Sequence, residues 1–154
     1  DMMIKNFETV LKDVENKKNR TLNTSDIDRV ITMASIVEKE AEKDEERGKV
    51  AAVFYNRLNK GMKLQSCATV LYTLGVHKDK LYDKDLAAPG PYNTYIVKAL
   101  PAGPICSPGR KSIEAAIDPP TTKDIYFVSK NDGTHFFTDS YTEFEKVKKQ
   151  YQGQ

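Results

Sequence analysis

The sequence predicts an α+β fold: mostly helical, with a small antiparallel sheet and a Pro/Gly-rich irregular middle segment. Three observations predict it. Residues 1–60 carry apolar side chains at helical spacing. Residues 62–108 hold five of the seven prolines, which prevents long regular elements. Residues 125–138 read as strand, turn and strand.

Each element has its own signal. Over residues 2–14, Met3, Phe7, Val10, Leu11 and Val14 line one helical face. Residues 17–23 are polar and predict a turn. Thr24 or Ser25 is the expected N-cap of a second helix, with Asp26 and Asp28 near the positive end of its dipole. That helix is expected to run to residue 43. Ile27, Val30, Ile31, Ala34, Val37 and Ala41 form one stripe, and Met33 and Ile36 lie on another side. A helix apolar nearly all round is a buried one. The acidic residues 42–46 predict a kink or break. A third helix then carries Val50, Ala51, Val53, Phe54 and Leu58, and Gly61 ends it.

In the middle segment, short helices are expected at 68–74 and 84–87. Ser112 is the expected cap of a short helix that stops before Pro119 and Pro120. Residues 125–129 form a strand by β-branched and aromatic content. Asn131-Asp132-Gly133 is the turn, and 134–138 return. Ser140 opens a last helix, with Glu143 completing a capping box.

The chain has 154 residues, the size of one ordinary domain. It is expected to divide into a helical lead-in, 1–24, and a main domain, 25–154. With 39% hydrophobic and 30% charged residues, it is neither a disordered tail nor an integral membrane bundle. No run approaches the roughly 20 apolar residues that span a bilayer. No signal-peptide pattern opens the chain. It starts at Asp1, which points to an excised piece of a longer protein.

Net charge is +2, from 24 basic and 22 acidic residues. That balance makes no electrostatic case for nucleic acid, and none is expected as a partner. Lys146, Lys148 and Lys149 read as a solvated helix face. Cys67, Cys106, His77 and His135 show no metal-ligand spacing, so no metal site is expected. No cofactor is expected either.

Candidate chemistry starts at Glu38 and Glu40, at the end of the otherwise buried second helix. On a wheel of about 100° per residue, Glu38 falls near the Ile27/Ala34/Ala41 stripe and Glu40 on the opposite side, near Met33 and Ile36. A carboxylate held against apolar side chains resists ionisation, which is how a general acid keeps its proton. The competing reading is that both reach solvent and pair with Lys39, Lys43 or Arg47. Two further stretches, 64–72 with Gln65, Ser66, Cys67 and Thr69, and 91–95 with Asn93 and Tyr95, are dense in amides, hydroxyls and phenols. Such groups suit a ligand rich in hydroxyls and acetamides, and equally suit local turns. The proline-rich turn 100–109 reads as a rigid wall, and His135 as a packed strand residue.

The string ASIVEKEAEKDEERGKVAAVFYNRLNKGMKLQSCATVLY resembles the endolytic murein transglycosylase, or YceG-like, family. PYNTYIVKALPAGPICSPG, SIEAAIDP and IYFVSKNDGTHFF continue the resemblance in order. It covers roughly residues 31–141, most of the chain. The resemblance implies an enzyme that cuts nascent peptidoglycan strands internally. It would break the β-1,4 bond between N-acetylmuramic acid and N-acetylglucosamine without water, leaving 1,6-anhydro-muramyl ends. It implies Glu40 as the catalytic acid and then base, with Glu38 the alternative. By motif position and side-chain type, Gln65, Ser66, Thr69, Asn93 and Tyr95 are expected to hold the sugars.

The resemblance also implies peptidoglycan synthases as partners and a membrane anchor outside this piece. The location would be the outer face of the cytoplasmic membrane. One departure stands out: the family pattern often has Asp-Pro after the serine, where this chain has Cys67-Ala68. In the implied location disulfides form, and Cys67 and Cys106 both fall in motifs expected to border the cleft. A bridge between them would contribute about 3–4 kcal/mol. The alternative reading, from another class, is a catalytically silent peptidoglycan-binding module of a cell-wall synthesis complex.

Overall fold

The computed structural model describes residues 2–17 and 21–152, with side chains described for 8–17 and 21–151. Among the described residues, seven helices and one hairpin follow in order. They are α1 (Met2–Lys17), α2 (Thr24–Glu40), α3 (Arg47–Asn59), α4 (Cys67–Leu74), α5 (Asp83–Leu86), α6 (Arg110–Ile117), β1 (Tyr126–Ser129), β2 (His135–Thr138) and α7 (Tyr141–Gln152). A short 3-10 turn, Asp44–Glu46, links α2 to α3. The expected class is therefore the one observed: mostly helical, with a two-stranded antiparallel sheet.

The core lies where α2, α3 and α6 meet. Met33, Ile36, Val37, Val50, Phe54, Ile113 and Ile117 are buried there. Burial of α2 from Thr32 through Val37 matches its apolar circumference. Helix α1 joins the same core through Leu11 and Val14. Met3 and Phe7, expected on that face, lie outside the described side chains, and residues 18–20 of the expected turn lie outside the described residues.

The hairpin pairs Tyr126 with Thr138 and Ser129 with His135. It packs on α3, with Phe127 edge-on to Phe54 at 5.5 Å between ring centres. On its other side Tyr126 stacks on Phe144 of α7 at 4.9 Å. Arg57, buried in α3, donates to the Ile125 carbonyl at 2.7 Å and the Lys63 carbonyl at 2.8 Å. His135 is likewise a structural residue. Its Nδ1 lies 2.9 Å from Glu46 Oε1, and its backbone N–H donates to Glu46 Oε2 at 3.0 Å.

Four local expectations differ from the structure. The N-cap of α2 is Asn23, whose side chain accepts from the Asp26 N–H at 2.8 Å. An amide oxygen one residue earlier reaches the same orphan donor as a hydroxyl would. Helix α2 stops at Glu40 rather than residue 43, because Ala41 turns extended. Ser112 is inside α6, and Gly109 is the cap. At α7 only half of the capping box forms: Ser140 Oγ accepts from the Glu143 N–H, while the Glu143 carboxylate accepts from Thr138 Oγ1.

Candidate active site

The early end of α2 brings Glu38 and Glu40 out on opposite sides. The carboxylate of Glu38 faces α6. Its Oε1 accepts from the Gly109 N–H at 2.7 Å and from Ser112 Oγ at 3.2 Å, and its Oε2 lies 3.3 Å from Arg47 Nη1. A Cβ at position 109 would stand 3.1 Å from Oε1, so glycine lets the backbone approach this closely. Both oxygens are thus engaged, and the group fastens α6 to α2 and α3.

Glu40 faces α4. Ser66 Oγ donates to its Oε1 at 2.6 Å, and the Ala68 N–H donates to the same oxygen at 3.3 Å. Among the described residues Oε2 takes no hydrogen bond. The Ala68 N–H belongs to the first turn of α4, one of the donors a helix start leaves unpaired. A half-buried carboxylate is therefore held by one oxygen and offers the other.

What holds Ser66 is a threonine pair. The Ser66 N–H donates to Thr94 Oγ1 at 2.9 Å. Thr69 Oγ1 donates to the Ser66 carbonyl at 2.6 Å. The two threonine hydroxyls are 2.8 Å apart, and the Thr94 N–H donates to Thr69 Oγ1 at 3.2 Å. With the Thr69 proton on Ser66, the Thr94 hydroxyl is the donor of that pair. All three residues are buried. Gln65, at φ 53°, turns the chain so that Ser66 points inward and Gln65 outward. Its N–H donates to the Thr94 carbonyl at 3.2 Å.

Tyr95 completes this side of the site. It is half-buried, and its hydroxyl lies 3.6 Å from Cys67 Sγ. Burial first, then the neighbouring Cys67 and Glu40, push its phenol well above the usual tyrosine range. It stays protonated and able to donate.

This fold and motif order have relatives. The model of the YceG-like family matches residues 1–150. The chain belongs to the YceG-like family. It is 44% identical over 137 residues to the endolytic murein transglycosylase of Bacillus subtilis (strain 168), covering 89% of this chain and 37% of that protein. It is 39% identical over 119 residues to the endolytic murein transglycosylase of Streptococcus pneumoniae serotype 2 (strain D39 / NCTC 7466), covering 73% and 20%. The chain thus spans well under half the length of these curated relatives. The 2.6 Å crystal structure of a yceG-like protein from Listeria monocytogenes superposes with a TM-score of 0.75 at 40% identity, covering 88% of this chain and 42% of that one.

The residues expected to hold sugars divide sharply in the structure. Gln65 is exposed and Tyr95 half-buried beside Glu40. Ser66, Thr69 and Asn93 are buried. Asn93 gives both amide hydrogens to the chain, at the Leu86 and Ala88 carbonyls (3.0 and 2.8 Å), and its oxygen accepts from the Tyr95 N–H at 2.9 Å. Their polar groups are engaged within the fold, so Thr69 and Asn93 shape the loops and Ser66 meets Glu40. Both cysteines are free thiols in this structure. Cys67 faces Tyr95, whereas Cys106 Sγ donates to the Ser35 carbonyl at 3.3 Å on the α2 side.

Two groups of the site were not singled out from the sequence. Thr94 lies within the 91–95 stretch, but a threonine between asparagine and tyrosine gives no sign of a partner twenty-five residues earlier. The Ala68 N–H is a backbone donor and leaves no trace in residue type.

Proposed function

We propose that this chain is the catalytic part of an endolytic murein transglycosylase, with Glu40 acting as acid and then as base. One observation carries the reading. Glu40 is held through Oε1 by two donors while Oε2 is left for a substrate, and a proton on Oε2 disturbs neither bond. The names of the relatives supply the substrate class, peptidoglycan.

In the first step Oε2 gives its proton to the glycosidic oxygen between N-acetylmuramic acid and N-acetylglucosamine, and the C1–O bond breaks. The resulting carboxylate takes the proton of the muramyl C6 hydroxyl as O6 bonds to C1, closing a 1,6-anhydro ring. The substrate's own acetamide can stabilise the cationic stage. No water enters, and Glu40 ends protonated as it began. Two-carboxylate glycosidases need a second acid nearby. Here Glu38 is tied to Arg47, Gly109 and Ser112, which supports assigning both steps to Glu40. To the Tyr95 phenol, which stays protonated, and the exposed Gln65 amide we assign binding of the sugar.

The same reading places the protein on the outer face of the cytoplasmic membrane, anchored by a segment outside this chain and working beside peptidoglycan synthases. Among the described residues no helix is long and apolar enough to cross a membrane.

Mass spectrometry of products from uncrosslinked glycan strands tests the reading. The wild type should yield anhydro-muramyl ends, and Glu40→Gln none while still binding strands. Anhydro ends from Glu40→Gln would move the role to Glu38. Reducing ends would mean hydrolysis. Strand binding without cleavage by the wild type would favour a silent binding module.

A further inference from the structure

Two cavities adjoin the site, and each shares a residue with it. One, of about 400 Å³, is lined by Lys39, Ala68, Leu71, Tyr72, Val76 and Ile105, among others. The other, of about 390 Å³, is lined by Asp83, Leu86, Ala87, Tyr95 and Ile96. Ala68 connects the first to Glu40 directly, since its N–H is bonded to Glu40 Oε1.

We propose that the first cavity receives the peptide stem of the muramyl residue on which Glu40 acts, with Lys39 pairing with a stem carboxylate. This rests on the function proposed above and adds a specificity site to it. Three observations lead there. The walls are largely aliphatic (Ala68, Leu71, Val76, Ile105), which suits the methyl groups of an alanine-containing peptide better than a hydroxyl-covered sugar. Charge selects between the cavities. Lys39 is exposed and forms no ion pair among the described residues, whereas the other cavity carries Asp83, which would repel a carboxylate. His77, also at the first cavity, already faces Asp79 at 3.6 Å.

The third observation is one of connectivity. A stem leaves the muramyl ring through the lactyl ether at C3, and the bond to be cut is at C1 of the same ring. The stem must therefore emerge close to the catalytic carboxylate, and Ala68 is the residue common to Glu40 and this cavity. The far wall is firm. Tyr72, 46% exposed, packs its ring on Tyr92 at 4.7 Å. Gly75, at φ 70°, ends α4 and turns the chain so that Val76 returns to the cavity.

The test compares kcat/KM of the whole protein, as the cell makes it, on two probes. These are uncrosslinked glycan strands with their stems, and the same strands stripped by an amidase. The wild type should be about tenfold slower on stripped strands, the size of one lost charge-assisted contact. Lys39→Glu and Val76→Asp, both at exposed positions, should fall to that level on stemmed strands and be unchanged on stripped ones. Equal wild-type rates on the two probes, or variants that slow both equally, would overturn the proposal. Should the wild type cleave neither probe, the transglycosylase reading itself fails and the stem site with it.

Discussion

Ser66 Oγ stands 2.6 Å from Glu40 Oε1, across twenty-six residues of sequence. Because both donors to Glu40 use the same oxygen, they fix its orientation and, among the described residues, leave Oε2 without a donor. Ser66→Ala should therefore lower kcat about ten- to a hundredfold and leave KM nearly unchanged. Steady-state kinetics on stemmed strands measures this. A change in KM alone would mean that Ser66 touches the sugar instead.

Glu38 and Glu40 should separate cleanly. Glu38→Gln removes the charge facing Arg47 from a side chain that is 29% exposed. It should cost about 1–2 kcal/mol of stability with kcat near wild type. Glu40→Gln should do the reverse. Urea midpoints and initial rates for the two variants are the comparison. Loss of activity in a well-folded Glu38→Gln protein would contradict the assignment.

Thr94 controls the site from within the fold. Thr94→Val leaves the buried Ser66 N–H without its acceptor and takes the donor from Thr69 Oγ1. About 1–3 kcal/mol should be lost, the cost of buried polar groups left unpaired. Thr94→Ser keeps the hydroxyl and should restore both stability and kcat. Denaturant unfolding of the pair would show it, and equal stabilities for valine and serine would refute it.

Acid should loosen the corner at α5. The Tyr82 N–H (2.9 Å) and Lys78 Nζ (3.0 Å) hold the Asp85 carboxylate and depress its pKa below the usual aspartate value. A depressed folded value means that this stabilisation is present above the unfolded value, near pH 4. It is lost as pH falls through the folded value. Asp85→Asn should melt earlier than wild type at neutral pH and lose less on acidification below about pH 4. Thermal melts across that range decide it, and parallel curves would count against the link.

Much of the fold was legible because its signals are local. The apolar circumference of residues 27–37 announced a buried helix, and Asn131-Asp132-Gly133 announced the hairpin turn. The boundaries were less legible, since they depend on competition between neighbouring donors and acceptors. Asn23 outcompeted Thr24 and Ser25 for the Asp26 N–H. Ser112 looked like a cap, yet its hydroxyl serves Glu38 and Arg47. The sugar-binding reading of residues 64–72 and 91–95 had the same weakness. Composition reports polar groups but not whether a buried threonine pair already satisfies them.

By itself the sequence determined the helical class, the buried α2, the hairpin and the pair of glutamates that end α2. These follow from periodicity, turn chemistry and residue type within short windows. Only the tertiary structure shows what each glutamate touches, and that among the described residues Glu40 keeps one oxygen without a hydrogen bond. The two side chains leave one helix end in opposite directions, and their surroundings come from remote segments. Residues 109 and 112 close over Glu38, while 66 and 68 hold Glu40 by one oxygen. Hydrogen-bond partners more than twenty-five residues away leave no period in the sequence, so this choice appears only when the chain is packed.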